Sequence, residues 1–159
     1  MVVTVIGLGL IGGSMALDLK ANGFAKTIIG VDSSPTNQKI ALEFGIIDHI
    51  ETLKTALERS QLIIVSIPVN QSGRVIKEVL EHCNEQTIID VGSTKSKLAK
   101  QLKKHPKRNN YVATHPIAGT EFSGPKAAQK GLFKNKVTII CDKELSSKKA
   151  YDLTTSMYE

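Results

Sequence analysis

The chain has no tryptophan, three tyrosines, four phenylalanines, two cysteines and five prolines in 159 residues. Each shortage excludes something. Cys83 and Cys141 stand outside any metal-type or redox-type spacing, so neither a zinc site nor a disulfide framework is expected. No apolar run approaches the ~18 residues that a membrane span requires, and no membrane partner is expected. Met1 leads straight into a strand-like run with no basic leader or small-residue cleavage site. Together with the lone thiols, this predicts a cytoplasmic protein. With so few aromatics, stacking on nucleic-acid bases has little to work with.

Positive charge is in excess, at +6, and it concentrates in "KSKLAKQLKKHPKR", Lys95–Arg108. Such a run reads either as a nucleic-acid patch or as the solvated side of a helix. Leu98 and Leu102 at i,i+4, with Lys97, Lys100, Lys103 and Lys104 on the other sides, favour the helix and argue against a nucleic-acid partner. The positive field can still attract an anionic substrate or a pyrophosphate.

The length fits one domain with its own core. Nearly continuous β-branched runs recur at Val2–Ile6, Thr27–Val31, Leu62–Ile67, Thr87–Val91, Tyr111–Thr114 and Val137–Cys141. That pattern belongs to strands covered on both faces of a parallel sheet. Helical patterns fill the gaps. Leu10–Ala21 follows the first run. Thr36–Phe44 starts after Pro35 and ends before Gly45, and Leu53–Glu58 is short. Asn70 is placed to cap a helix bearing Val75, Ile76, Val79 and Leu80, and Ser93 or Thr94 to cap Lys97–Lys104. The alternation predicts an α/β fold: a doubly wound, mostly parallel sheet with helices on both faces.

Gly7-Leu8-Gly9-Leu10-Ile11-Gly12 lies between the first strand and the first helix, the context in which GxGxxG is informative. Gly7 permits the turn, Gly9 lets a pyrophosphate approach the backbone, and Gly12 lets helix and strand pack closely. The helix start then presents free N–H groups and the positive end of its dipole. The second strand ends in Asp32, twenty positions after Gly12. A carboxylate there accepts ribose hydroxyls and repels a 2′-phosphate, which favours NAD over NADP. Residues 1–159 thus read as a Rossmann-type dinucleotide-binding domain, with Gly7 through Gly12 and Asp32 as cofactor residues.

Three later strand ends open onto the same crevice in such a fold. "VSIPVNQS" brings Ser66, Pro68 and Val69, either as cofactor wall or as a plain strand-to-helix connection. "IIDVGSTKSK" brings Ser93 and Lys95, and "YVATHPIAGTEFSGP" brings His115, Thr120 and Glu121. A His–Ser pair beside a nicotinamide can handle a proton, and His accepts one near neutral pH. A histidine in such a place can equally satisfy buried backbone groups.

"GLGLIGGS", "DVGSTK" and "HPIAGTEFSG", in that order and spacing, closely resemble the prephenate dehydrogenase family, which includes arogenate and cyclohexadienyl dehydrogenases. "KGLFKNK" fits the same pattern, and "HPIAGTEFSG" is the most specific part. The resemblance implies NAD-dependent oxidative decarboxylation of prephenate to 4-hydroxyphenylpyruvate in tyrosine biosynthesis. It makes His115 the proton acceptor. Ser93 becomes the bridge between histidine, substrate and cofactor, and Thr120 and Glu121 line the substrate mouth. For Lys95 it leaves a catalytic duty and an ion pair both open. It leaves open whether the substrate is prephenate or arogenate.

Family members continue into a helical domain that makes a homodimer and supplies a carboxylate-binding arginine. Arg59, Arg74 and Arg108 sit in the wrong segments for that role, which lysine does not readily fill. The chain is therefore expected to be a cofactor-binding portion lacking the C-terminal helical domain, able to bind NAD but poor in turnover. Two competing readings share the glycine loop. A β-hydroxyacid or imine reductase would need a catalytic lysine on a later helix, and a non-catalytic NAD sensor would tolerate loss of His115.

Overall fold

The computed structural model describes residues 1–159 as one seven-stranded sheet between two layers of helices. In chain order the elements are β1 (Val2–Ile6), α1 (Leu10–Ala21), β2 (Thr27–Val31), α2 (Pro35–Glu43) and β3 (His49–Ile50). Then come α3 (Leu53–Arg59), β4 (Leu62–Val65), α4 (Val69–His82), β5 (Thr87–Asp90), α5 (Ser96–Leu102), β6 (Tyr111–Pro116), β7 (Thr138–Cys141) and α6 (Lys148–Tyr158). The strand order is β3-β2-β1-β4-β5-β6-β7. The chain moves outward from β1 to β3, returns to lay β4 beside β1, and then moves outward the other way. The reversal between β1 and β4 is the switch point at which open α/β sheets bind ligands.

Alternation along the strands explains the two helix layers. Val3, Val5, Leu62, Ile64, Ile89 and Val112 point to one face and pack with α1, α2 and α6 through Met15, Ala41 and Met157. Ile6, Ile63, Val65, Ile88 and Tyr111 point to the other and pack with α3, α4 and α5 through Leu57, Ile76 and Leu98. Both faces being covered is why these runs are continuously apolar.

The sheet is mostly parallel, as expected, with β7 alone pairing antiparallel, against β6. A long connection returns the chain to the same end of the sheet instead of crossing over on a helix, which antiparallel pairing permits. β3, only two residues and exposed, has too short a run for its pattern to register. Asn70 is not a cap: α4 starts at Val69, and Pro68 takes the N-cap place, its carbonyl accepting from Gln71 and Ser72 N–H. Neither Ser93 nor Thr94 caps α5. Lys95 occupies that place without a side-chain cap, and the helix ends at Leu102. Within the basic run Leu98 and Leu102 are buried while Lys97, Lys100, Lys103 and Lys104 face solvent. Lys107 turns back to the Glu81 and Cys83 carbonyls at the end of α4, where a cation meets the negative end of the dipole. No helix is long and apolar enough to cross a membrane.

Candidate active site

The glycine turn is built by close approach. Gly7 adopts φ +93°, and a Cβ there would stand 2.3 Å from the Ser66 carbonyl oxygen. A Cβ on Gly12 would stand 2.1 Å from the Gly7 carbonyl oxygen, so α1 begins directly against the end of β1. Gly9 is different: a Cβ there meets nothing within 4 Å. Gly9 is also the N-cap of α1 and offers no side-chain acceptor. The first-turn N–H groups of the helix therefore keep their hydrogen-bonding capacity for a ligand, beside open space.

Asp32 reaches back to this turn from the end of β2. One carboxylate oxygen accepts from the Leu8 N–H at 2.8 Å and the other from the Ser34 N–H at 2.8 Å. It thus holds the turn in shape, and each oxygen retains a lone pair for a further donor.

A crevice of about 400 Å³ opens at the switch point. Gly9, Leu10 and Ile11 enter from the turn after β1, Ser66 and Pro68 from the end of β4, Ser93 from the end of β5 and His115 from the end of β6. His115 is the one ionisable side chain in that lining. Its Nδ1 is buried and makes no hydrogen bond. Ser93 is exposed into the crevice.

Thr120 and Glu121 are exposed and lie outside this lining; the Thr120 hydroxyl accepts from the Phe122 N–H at 3.2 Å. The same loop instead brings Phe122, Ser123 and Gly124 to the wall. A second hollow of about 350 Å³ lies on another side of His115, toward Gly119 and Lys136. Gly7, Leu8, Gly12 and Asp32 shape the turn from behind and do not line the crevice.

Below the crevice floor, Lys95 takes the ion-pair role left open for it, within a network whose other members, Asp90 and Tyr111, the sequence did not single out. Asp90 is 1% exposed at the end of β5. Its Oδ2 accepts from Lys95 Nζ at 2.5 Å, and its Oδ1 accepts from the Tyr111 hydroxyl. Lys95 is thus an ion-pair partner, with only 12% of its side chain exposed. Burial pushes the Lys95 ammonium below its usual range, against the opposing pull of Asp90. Burial, reinforced by the Asp90 charge, pushes the Tyr111 phenol far above its usual range. The signal was present as a lone acid closing the apolar run "TIID". A buried carboxylate demands partners.

A family model described as "Prephenate dehydrogenase, nucleotide-binding domain" matches residues 15–159. The chain belongs to the prephenate dehydrogenase nucleotide-binding domain family. The prephenate dehydrogenase of Bacillus subtilis is 37% identical over 152 residues, covering 92% of this chain and 40% of that protein. The cyclohexadienyl dehydrogenase of Zymomonas mobilis is 31% identical over 140 residues, covering 87% of this chain and 48% of its own length. Among solved structures, the Aquifex aeolicus prephenate dehydrogenase in complex with hydroxyphenyl propionate and NAD+ superposes with a TM-score of 0.90 at 30% identity. That superposition covers 99% of this chain and 56% of the other. This nucleotide-binding domain therefore spans about half or less of the relatives it matches. The family match begins after the glycine turn.

Proposed function

We propose that this chain is the NAD-binding part of a prephenate dehydrogenase, with His115 and Ser93 at the reacting atoms. The observation that carries the proposal is convergence: the tips of β5 and β6 bring Ser93 and His115 into the crevice whose other wall is the start of α1. NAD fits what is there. The turn offers free N–H groups, open space at Gly9 and an acid at Asp32, and Ser33 and Ser34 supply no cation for a 2′-phosphate. When bound, NAD supplies the hydride acceptor.

The chain's own residues handle the proton. His115 accepts a hydrogen bond and then the proton from the 4-hydroxyl of the ring as the C4–H bond breaks. Loss of the ring carboxylate as carbon dioxide leaves its electron pair in the ring, which becomes aromatic. The phenolate oxygen then takes the proton back, so the proton is borrowed and the balance is one hydride and one carbon dioxide. Aromatisation supplies much of the driving force, which leaves positioning and one proton acceptor to the protein. Ser93 orients the hydroxyl between substrate and imidazole. The same reading expects a homodimer acting in the cytoplasm.

Titration of NADH fluorescence and steady-state turnover of prephenate and arogenate test the proposal, on this chain and on the longer natural frame that carries it. The expected result is NADH binding by the chain and turnover by the longer frame, with arogenate as the competing substrate. Absence of NADH binding, or turnover unaffected by His115→Asn, would refute it.

A further inference from the structure

Ser93 makes no hydrogen bond that would hold its own position, yet its neighbour Gly92 is fastened at both ends. The Gly92 N–H donates to Asp90 Oδ2 at 3.1 Å, and Lys95 Nζ donates to the Gly92 carbonyl at 2.7 Å. The same ammonium holds Asp90 Oδ2 at 2.5 Å. The turn from Asp90 to Lys95 is thereby closed on itself, with the ion pair inside the loop. Close packing enforces it: a Cβ on Gly92 would lie 3.1 Å from Val69 Cγ2 and 3.2 Å from Asp90 Oδ2. Asp90 is in turn fixed from below by the Tyr111 hydroxyl. Lys95 itself does not line the crevice.

We propose that Lys95, clamped to Asp90 and to the Gly92 carbonyl, is a positioning residue that sets where the Ser93 hydroxyl stands in the crevice. The proposal rests on the reading of Ser93 and His115 given above and names the device that holds their geometry. A serine displaced by about an ångström forfeits much of a near-attack arrangement, which is where a rate loss of up to ~10²-fold arises.

The test has two arms. Lys95→Met leaves the Asp90 carboxylate buried and unpaired, so Lys95→Met/Asp90→Asn, which strands no charge, is measured beside it. In the first arm, amide hydrogen exchange is followed by NMR. Exchange at Gly92, whose N–H is bonded inside the turn, is expected to quicken at least ~10-fold in both variants while Val3–Ile6 is unchanged, as for local opening of one turn. In the second arm, kcat with prephenate is measured in the full natural frame for Lys95→Met, Ser93→Ala and the two combined. Lys95→Met is expected to lower kcat at least ~10-fold with NADH affinity held, and to add less than about twofold on the Ser93→Ala background, the non-additivity of residues acting through one another. Unchanged exchange, an unchanged kcat, or fully additive losses would overturn the proposal. Absence of turnover in the unsubstituted protein would instead refute the functional reading, and the exchange arm alone would then decide whether the clamp exists.

Discussion

Gly9 and Gly12 lie three residues apart in one motif, yet the structure assigns them opposite duties, and a pair of alanine substitutions separates them. At Gly12 an added Cβ would meet the Gly7 carbonyl oxygen at 2.1 Å, Ser66 Cβ at 3.0 Å and Val5 Cγ1 at 3.0 Å. Two of these neighbours are fixed backbone or Cβ positions, so α1 itself must shift. Overpacking of this kind costs about 1–3 kcal/mol, against which alanine recovers at most about 1 kcal/mol of helix propensity. Because the 2.1 Å contact is with backbone, the cost lies at the upper end, and Gly12→Ala is expected to destabilise by about 2 kcal/mol, a fall of ~4–8 °C in Tm for a domain of this size. At Gly9 nothing stands within 4 Å, and its φ of −80° and ψ of −164° suit alanine. Gly9→Ala is expected to keep or slightly raise Tm, by up to ~1 kcal/mol of reduced unfolded-state entropy. It should nevertheless weaken NADH at least ~10-fold, or about 1.4 kcal/mol, because the methyl group occupies the approach to the first-turn N–H groups. Thermal unfolding and NADH fluorescence titration on the two variants are sufficient. A Gly9→Ala protein that binds NADH like its parent, or a Gly12→Ala protein with an unchanged Tm, would refute the reasoning.

Three further outcomes are expected. His115→Asn should lower kcat ~10²–10⁴-fold while leaving NADH affinity in place, measured by steady-state kinetics beside a binding titration. Asp32→Asn should weaken NADH while narrowing its advantage over NADPH, since the carboxylate no longer repels a 2′-phosphate; equal losses for both cofactors would count against its ribose role. Stability should fall as pH rises above about 10, because the Tyr111 and Tyr158 phenols, pushed up by burial, stay protonated in the fold while their unfolded counterparts ionise. Each phenol contributes a slope that steepens toward about −1.4 kcal/mol per pH unit as its unfolded form ionises, so Tyr111→Phe should flatten the decline in denaturant unfolding at pH 10–11.

The parallel part of the sheet was legible because its strands are covered on both faces and so read as unbroken apolar runs. The glycine turn was legible because at Gly7 and Gly12 close backbone approach leaves glycine no substitute. β7 showed its strand character but not its direction, since direction is set by the connection before it and not by its own residues. The helix starts at Val69 and Ser96 were displaced from the polar residues nearest to them because Pro68 and Lys95 hold the preceding backbone. His115, Ser93 and the β1 turn could be placed together from topology alone. Asp90, Tyr111 and Lys95 could not be joined, because their pairing depends on register between β5 and β6 and on a side chain folding back across a turn.

The connection from His115 to β7 is anchored to α1 partway along: the Gln129 N–H donates to the buried Ser14 hydroxyl at 3.0 Å, the Gly131 N–H to Asp18 at 2.7 Å, and a Cβ on Gly13 would touch Ala128 at 2.7 Å. The anchor divides that long excursion into two stretches with different freedom to change. Insertions or deletions between Ile117 and Ser123 alter the rim of the crevice and leave the helix untouched. A single added residue between Ala128 and Gly131 would pull Ser14 and Asp18 out of register with their partners. Changes of length should therefore be tolerated in the stretch at the crevice rim, where what the crevice accepts can be altered without disturbing the glycine turn and α1.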